Sequence, residues 1–184
     1  MAHHRAGWRL SPRLRKTTLL LHLLCGIGWM GVDLALLPLL LTGLTTDDGA
    51  TAASCYVAVT VIVPLAVPIL SLGILATGLL LGWGTTWGVL RYWWVVVKLV
   101  MAVTLLFLVL FLLVPGVNDL PTPDATASAD AVRDQIGPAT TGLLFPPLVS
   151  FAMLAIAAII SLFKPWSRTP WSTPPTPRGT GRPG

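Results

Sequence analysis

The chain alternates between long apolar runs and shorter polar stretches. Four runs, residues 17–43, 55–82, 92–114 and 142–163, are built almost wholly from Leu, Val, Ile, Ala, Gly and aromatic residues. Each reaches the roughly 20 residues that a helix needs to cross hydrocarbon. None shows the period-two alternation of a membrane barrel strand. An open strand would also leave its backbone groups unpaired in lipid. The pattern predicts an all-α membrane protein, a four-transmembrane-helix antiparallel bundle. Residues 1–16 read as a basic tail. Residues 115–141, polar and rich in Pro, Asp, Ala and Thr, read as an external loop with a short helix over 127–136 and no folded domain. Residues 164–184, rich in Pro, Gly, Thr and Arg, read as a disordered basic tail drawn to anionic lipid.

Composition strengthens this reading. Hydrophobic residues make up 54% of the 184, and the mean hydropathy is +0.79. Charged residues are 10%, against roughly 25% in soluble domains. A soluble fold of this length could not bury so much apolar surface. All the acids are Asp, and the net charge is +5.

The placement of charge says more than its sign. Arg5, Arg9, Arg13, Arg15 and Lys16 precede the first run, Arg91 lies between the second and third, and Lys164, Arg168, Arg178 and Arg182 follow the fourth. The other two connections carry Asp47 and Asp48, then Asp119, Asp124, Asp130 and Asp134 with only Arg133. Basic residues mark the cytoplasmic side, so both termini are expected to be cytoplasmic. Trp83, Trp87, Tyr92, Trp93, Trp94, Trp166 and Trp171 gather at the same interface, where amphipathic rings are stable. The basic residues are thus topology signals. The expected partner is the lipid bilayer, and no nucleic acid is expected.

Cys25 lies within the first run and Cys55 at the edge of the second; different depths argue against a disulfide. Ala52-Ala53-Ser54-Cys55 resembles a lipoprotein cleavage site only faintly, because the preceding apolar run is too long for a signal peptide.

Polar residues at membrane depth are the informative ones. At about 1.5 Å per residue, His22 lies roughly 7 Å in and Lys98 roughly 10 Å in from the same interface. If both face the bundle interior, they converge on one ligand. Two readings of Lys98 stand. It snorkels toward the headgroups, with Trp94 one turn earlier covering it or holding it by a cation–π contact, or it turns inward to His22. His22 is read either as a hydrogen-bonded packing residue or as a ligand. Asp33 is eleven residues beyond His22 on the same helix face. It lies in the other half of the span, at a depth matching Thr104 and close to Ser150, too far for an ion pair with Lys98. It is read as protonated and bonded to a hydroxyl, or as a proton or ion site.

Cys25 reads as a small buried apolar residue. Gly78 and Gly82 have the spacing of close helix contacts, a weak signal for packing and a weaker one for a homo-oligomer. Pro64 and Pro68 predict a kink in the second helix. No metal-binding cluster, phosphate loop or nucleophile–base pair is visible, and no catalytic residue is assigned.

Leu21-His22, followed by Ile27, Trp29-Met30-Gly31 and Leu37-Pro38-Leu39, resembles the first helix of the HemJ-type protoporphyrinogen oxidases. Trp94-Val95-Val96-Val97-Lys98-Leu99 is similar to their W-x-x-x-K-L pattern on a later helix. The wider group includes the CopD-like copper-resistance membrane domain. The resemblance spans Leu20 to Phe111. It implies a multi-pass protein of the bacterial cytoplasmic membrane, a haem b site at His22 and Lys98 with Trp94 behind it, and oxidoreductase activity. An iron-ligating lysine must be neutral, whereas histidine is an ordinary haem ligand. The chain departs from the family pattern in having no basic residue after Pro38, no histidine after Lys98 on the third helix, and Asp33. These departures bear on the oxidase activity more than on the fold. Cys25, Met30 and Met101 are too few for a copper ladder. Beside the haem or porphyrin reading stand a small transporter or metal-handling protein using Asp33, and an accessory membrane subunit whose polar residues only pack.

Overall fold

The computed structural model describes residues 10–84, 91–163 and 169. The tail at residues 1–9, with His3 and His4, lies outside them, as do Trp87, Trp166 and Trp171 and all of the C-terminal tail but Thr169.

Four helices are long and apolar enough to cross a membrane. The first, α1, runs over Pro12–Thr45. Ser11 caps it, accepting from the Leu14 N–H at 3.3 Å, and Pro12 occupies the position where a missing N–H costs nothing. Thr46 leaves the helix in extended geometry. Three residues later α2 begins, over Gly49–Gly84. The Asp48 carboxylate accepts from the Thr51 N–H at 2.9 Å and from its hydroxyl at 2.5 Å. Both bonds hold the Asp48 carboxyl below its ordinary pKa. So short a connection forces α1 and α2 into an antiparallel pair.

Glycines bring these two helices together. A Cβ at Gly73 would lie 2.6 Å from the Cys25 Sγ, and one at Gly43 would lie 3.3 Å from the Tyr56 ring. In lipid, where apolar association gains little, such close backbone approach supplies dispersion contact. Cys25 and Cys55 are both free thiols. Pro38, Pro64 and Pro68 sit inside α1 and α2, and each helix continues through them.

The third span, α3, covers Trp93–Asn118. It changes character at Val109–Leu113, a π-helical turn closed by the Val114 N–H on the Val109 carbonyl. Pro115 accounts for the position. Its ring crowds the carbonyl four residues back, at Phe111, and cannot donate to it. Widening the preceding turn by one residue relieves that clash.

The polar loop is a cap and not a loose connection. The helix α4, over Ala129–Ile136, starts at Ser128, whose hydroxyl accepts from the Ala131 N–H at 3.3 Å, and stops at Gly137 with φ of 64°. Such a φ favours glycine, which has no Cβ to clash. Ala129, Val132 and Ile136 fall on one helical face and are buried against the bundle. A Cβ at Gly49 would lie 1.9 Å from the Ala127 carbonyl oxygen, so only glycine admits the loop there. Arg133 reaches across to the C-terminus of α1, donating from Nη1 to the Thr46 carbonyl at 3.0 Å and the Gly43 carbonyl at 3.4 Å. Helix C-termini hold carbonyls without intrahelical donors, and a cation there also meets the negative end of the helix dipole.

The last span, α5, runs over Ala139–Phe163. It touches α1 and α3, while α2 touches α1 and α3. The four spans therefore form a closed ring, with α4 across one end. At the other end the Leu10 N–H bonds to the Gly84 carbonyl at 3.1 Å and the Thr169 N–H to the Arg91 carbonyl at 3.0 Å. Leu10 and Thr169 thus lie at the same end of the bundle. Thr169, within the segment expected to be a disordered tail, is fully buried. The half of the bundle nearer Leu10 and Thr169 is the terminal half, and the half beneath α4 is the cap half.

Candidate functional site

Among the described residues, the ring of helices holds a cavity in each half. The terminal-half cavity, about 370 Å³, is lined by His22, Trp29, Met30, Lys98, Met101 and Ser161 among others. The cap-half cavity, about 490 Å³, is lined by Asp33, Leu36, Leu105, Val109, Gly142 and Ser150 among others. Trp29 and Leu105 line both. They form the partition between the halves.

His22 reaches the terminal-half cavity from α1. Its Nδ1 lies 2.9 Å from the Thr77 hydroxyl on α2. That hydroxyl bonds back to the Gly73 carbonyl at 2.5 Å, one turn earlier in α2. A threonine has one hydroxyl proton, and the carbonyl can only accept. The Thr77 proton is therefore committed to Gly73, and the imidazole Nδ1–H donates to Thr77. This tautomer, inferred from the network, leaves Nε2 with its lone pair. Gly78 makes room for the ring, since a Cβ there would stand 3.4 Å from His22 Cε1.

Lys98 reaches the same cavity from α3. Its ammonium neither runs free along the surface nor meets His22 directly. Nζ donates to the Ser161 hydroxyl on α5 at 2.7 Å and lies 4.8 Å from the centre of the Trp94 ring. The Ser161 hydroxyl in turn donates to the Ala157 carbonyl at 2.9 Å. Side chains on a helix lean toward its N-terminus, which carries the amine toward Trp94. Trp94 is 9% exposed and shields that side. A cation–π contact of this kind contributes about 0.5–2 kcal/mol, more as water is excluded. The structure thus brings His22 and Lys98 to one cavity, each anchored to a different helix.

Asp33 lies in the other half, 2% exposed, and its Oδ2 is 2.8 Å from the Ser150 hydroxyl. The Trp29 indole is a further donor to the carboxyl. Ser150 is the residue whose depth lay close to that of Asp33 in the sequence; Thr104, whose depth matched, is exposed.

Thr77 and Ser161 were not singled out from the sequence. Both sit inside apolar runs, and the depth comparison that paired Asp33 with Ser150 would have reached Ser161. Thr77 had no such signal, because only the α1–α2 contact places it beside His22. Among the described residues no cluster of three or more His, Cys, Asp or Glu side chains is grouped to hold a metal ion. Comparison with family models, with curated proteins and with solved structures finds no match for the chain.

Proposed function

We propose that this multi-pass membrane protein binds a haem or porphyrin in its terminal-half cavity, where His22 would hold the iron and Lys98 would pair with a ligand carboxylate. The observation that carries the proposal is the His22–Thr77 pair. Metal-ligating histidines typically donate their second ring nitrogen to a fixed acceptor, which sets the tautomer and orients the ring. His22 has that arrangement, with the lone pair on the nitrogen left over.

The remaining wall suits such a ligand. The wall is apolar with few polar groups. Lys98 does not fit as an iron ligand. Its bond to Ser161 and its place over Trp94 both suit an ammonium, whereas iron ligation needs a neutral amine. An ammonium anchored at the cavity wall suits a propionate carboxylate instead. Bound haem would supply one-electron chemistry; the chain's own residues bind, orient and shield it. Leu23, Ile27 and Leu162 also line the cavity and are 50%, 67% and 78% exposed, so its mouth faces lipid and suits a ligand dissolved in the bilayer.

The terminal half is assigned to the cytoplasmic side by the charge bias. Arg133, the one basic residue of the cap, is tied to α1 carbonyls and Asp130 and so is explained by helix capping.

The visible spectrum of the purified protein tests the proposal. A Soret band is expected after haem is supplied, and His22→Ala and Lys98→Met should each change it. No band after reconstitution, or a band indifferent to His22→Ala, overturns it.

A further inference from the structure

We propose that the cap-half cavity is a second, independent binding site, for a neutral lipid-soluble quinol or phenol whose hydroxyl is held by Asp33. It shares only the partition residues with the haem reading and does not depend on it.

The wall of this cavity defines the class of ligand. Apart from Asp33, Ser150 and the Trp29 indole, every lining side chain is apolar or a glycine. The occupant must therefore be mostly hydrocarbon, with its polar group at one end. Leu112, Phe145 and Val149 belong to the wall and are 58%, 67% and 47% exposed, on surface that meets lipid. Access is sideways from the bilayer, between α3 and α5. The π-helical turn at Val109–Leu113 contributes three of the lining residues, Val109, Leu112 and Leu113. Such turns recur at functional sites.

The hydrogen bonds define the charge of the ligand. Ser150 Oγ lies 2.8 Å from Asp33 Oδ2 and also 2.8 Å from the Pro146 carbonyl oxygen. Its hydroxyl has one proton for two oxygens. A protonated Asp33 carboxyl donating to Ser150, with Ser150 donating to Pro146, gives each short contact its own hydrogen; with Ser150 as donor to Asp33, the two contacts share one. A protonated carboxyl is neutral and keeps its other oxygen as an acceptor. A cationic ligand would need the carboxylate, and the two 2.8 Å contacts would then share the single Ser150 hydrogen. A neutral O–H donor fits instead. A phenolic hydroxyl donates strongly, and its ring can lie against Trp29 in the partition. The hydrocarbon tail then leaves past Leu112 and Val149.

The site can be closed without disturbing its polar end. Gly116 and Gly142 line the cavity, and a Cβ at either meets no atom within 4 Å. Gly26 offers the same opening in the terminal-half cavity.

The test uses the full chain in lipid nanodiscs, with a decyl-chain benzoquinol as probe and equilibrium dialysis under anaerobic conditions as readout. Saturable binding is expected. Gly142→Leu should weaken it at least about tenfold by filling the cavity, and Gly26→Leu should leave it unchanged. Asp33→Leu should weaken it by about two- to tenfold or more, the loss of one buried hydrogen bond. Asp33→Asn, whose amide donates to Ser150 and presents an oxygen to the ligand, should retain binding. It also serves if Asp33→Leu fails to fold. Absence of saturable binding overturns the proposal. So does equal binding by wild type and Gly142→Leu, a loss confined to Gly26→Leu, or loss of binding in folded Asp33→Asn. Soret titration of the same variants separates this outcome from failure of the haem reading.

Discussion

Replacing Thr77 with valine removes one oxygen and little volume. In the structure that oxygen is the acceptor for His22 Nδ1 at 2.9 Å. Its loss leaves the ring N–H with only the Ile74 backbone carbonyl as a partner. Leaving a buried donor wholly unpaired costs about 1–3 kcal/mol, the upper bound here. The ring can escape that cost by moving its proton to Nε2, but that nitrogen then has no lone pair for a metal. By either route haem affinity should fall, by about 10- to 100-fold, the usual effect of removing a partner behind a metal-ligating histidine. That range corresponds to about 1.4–2.8 kcal/mol. Thr77→Ser keeps the hydroxyl and should bind within about threefold of wild type, since only a methyl contact is lost. Two measurements check this: a Soret titration of the three proteins, and the ¹⁵N shifts of the His22 imidazole without haem. The wild-type shifts should report a single tautomer protonated at Nδ1, and the Thr77→Val shifts should not. A Kd for Thr77→Val equal to wild type, or an equal fall in Thr77→Ser, would refute the reasoning.

Other consequences concern the cap. Arg133→Met should loosen it, with faster amide exchange over residues 128–137. Charge-assisted bonds to carbonyls contribute about 1.5–3 kcal/mol each. Asp130→Ala should change exchange little, because Asp130 is 89% exposed and such surface pairs contribute about 0–1 kcal/mol. Gly49→Ala should lower the melting temperature, since the new Cβ would overlap the Ala127 carbonyl, while Gly31→Ala, with nothing within 4 Å, should not. Both are read by a thermal melt in detergent. The Asp48 carboxyl is held below its ordinary value of 3.8, first by the Thr51 hydroxyl and then by the Thr51 N–H. A lowered pKa in the folded state contributes stability above the unfolded value and loses it as pH falls through the folded one. Amide protection at Thr51, corrected for the intrinsic exchange rate, should therefore fall only below about pH 3.8, and Asp48→Asn should flatten that dependence. An unchanged profile would mean that the Asp48 cap does not hold this turn.

The polar residues show where the sequence was legible. Lys98 and His22 shared a depth because helical rise is fixed, and they do line one cavity. Asp33 and Ser150 lay at close depths for the same reason, and they hydrogen-bond. What depth could not supply was direction. Lys98 had two destinations in the sequence, the headgroups with Trp94 over its chain, or His22; it makes the Trp94 contact and also bonds to Ser161 on α5, which the sequence did not single out. The loop over 115–141 showed its short helix in its pattern. Its burial was hidden, because Ala129, Val132 and Ile136 form too short an apolar face to announce a partner.

The sequence by itself determined the spans and their alternation. Hydrocarbon admits few structures, and twenty apolar residues in a row leave a helix as the answer. Side-chain chemistry along the chain also fixed which residues are costly in lipid. Tertiary structure alone decided which helix holds each of them. That choice rests on ring order, on glycine contacts such as Gly73 with Cys25 and Gly78 with His22, and on the cap tied down by Arg133. These are contacts between residues far apart in the chain, and no local pattern encodes them. The two cavities and the partition at Trp29 and Leu105 follow from how four helices close a ring, and from nothing shorter than the whole chain.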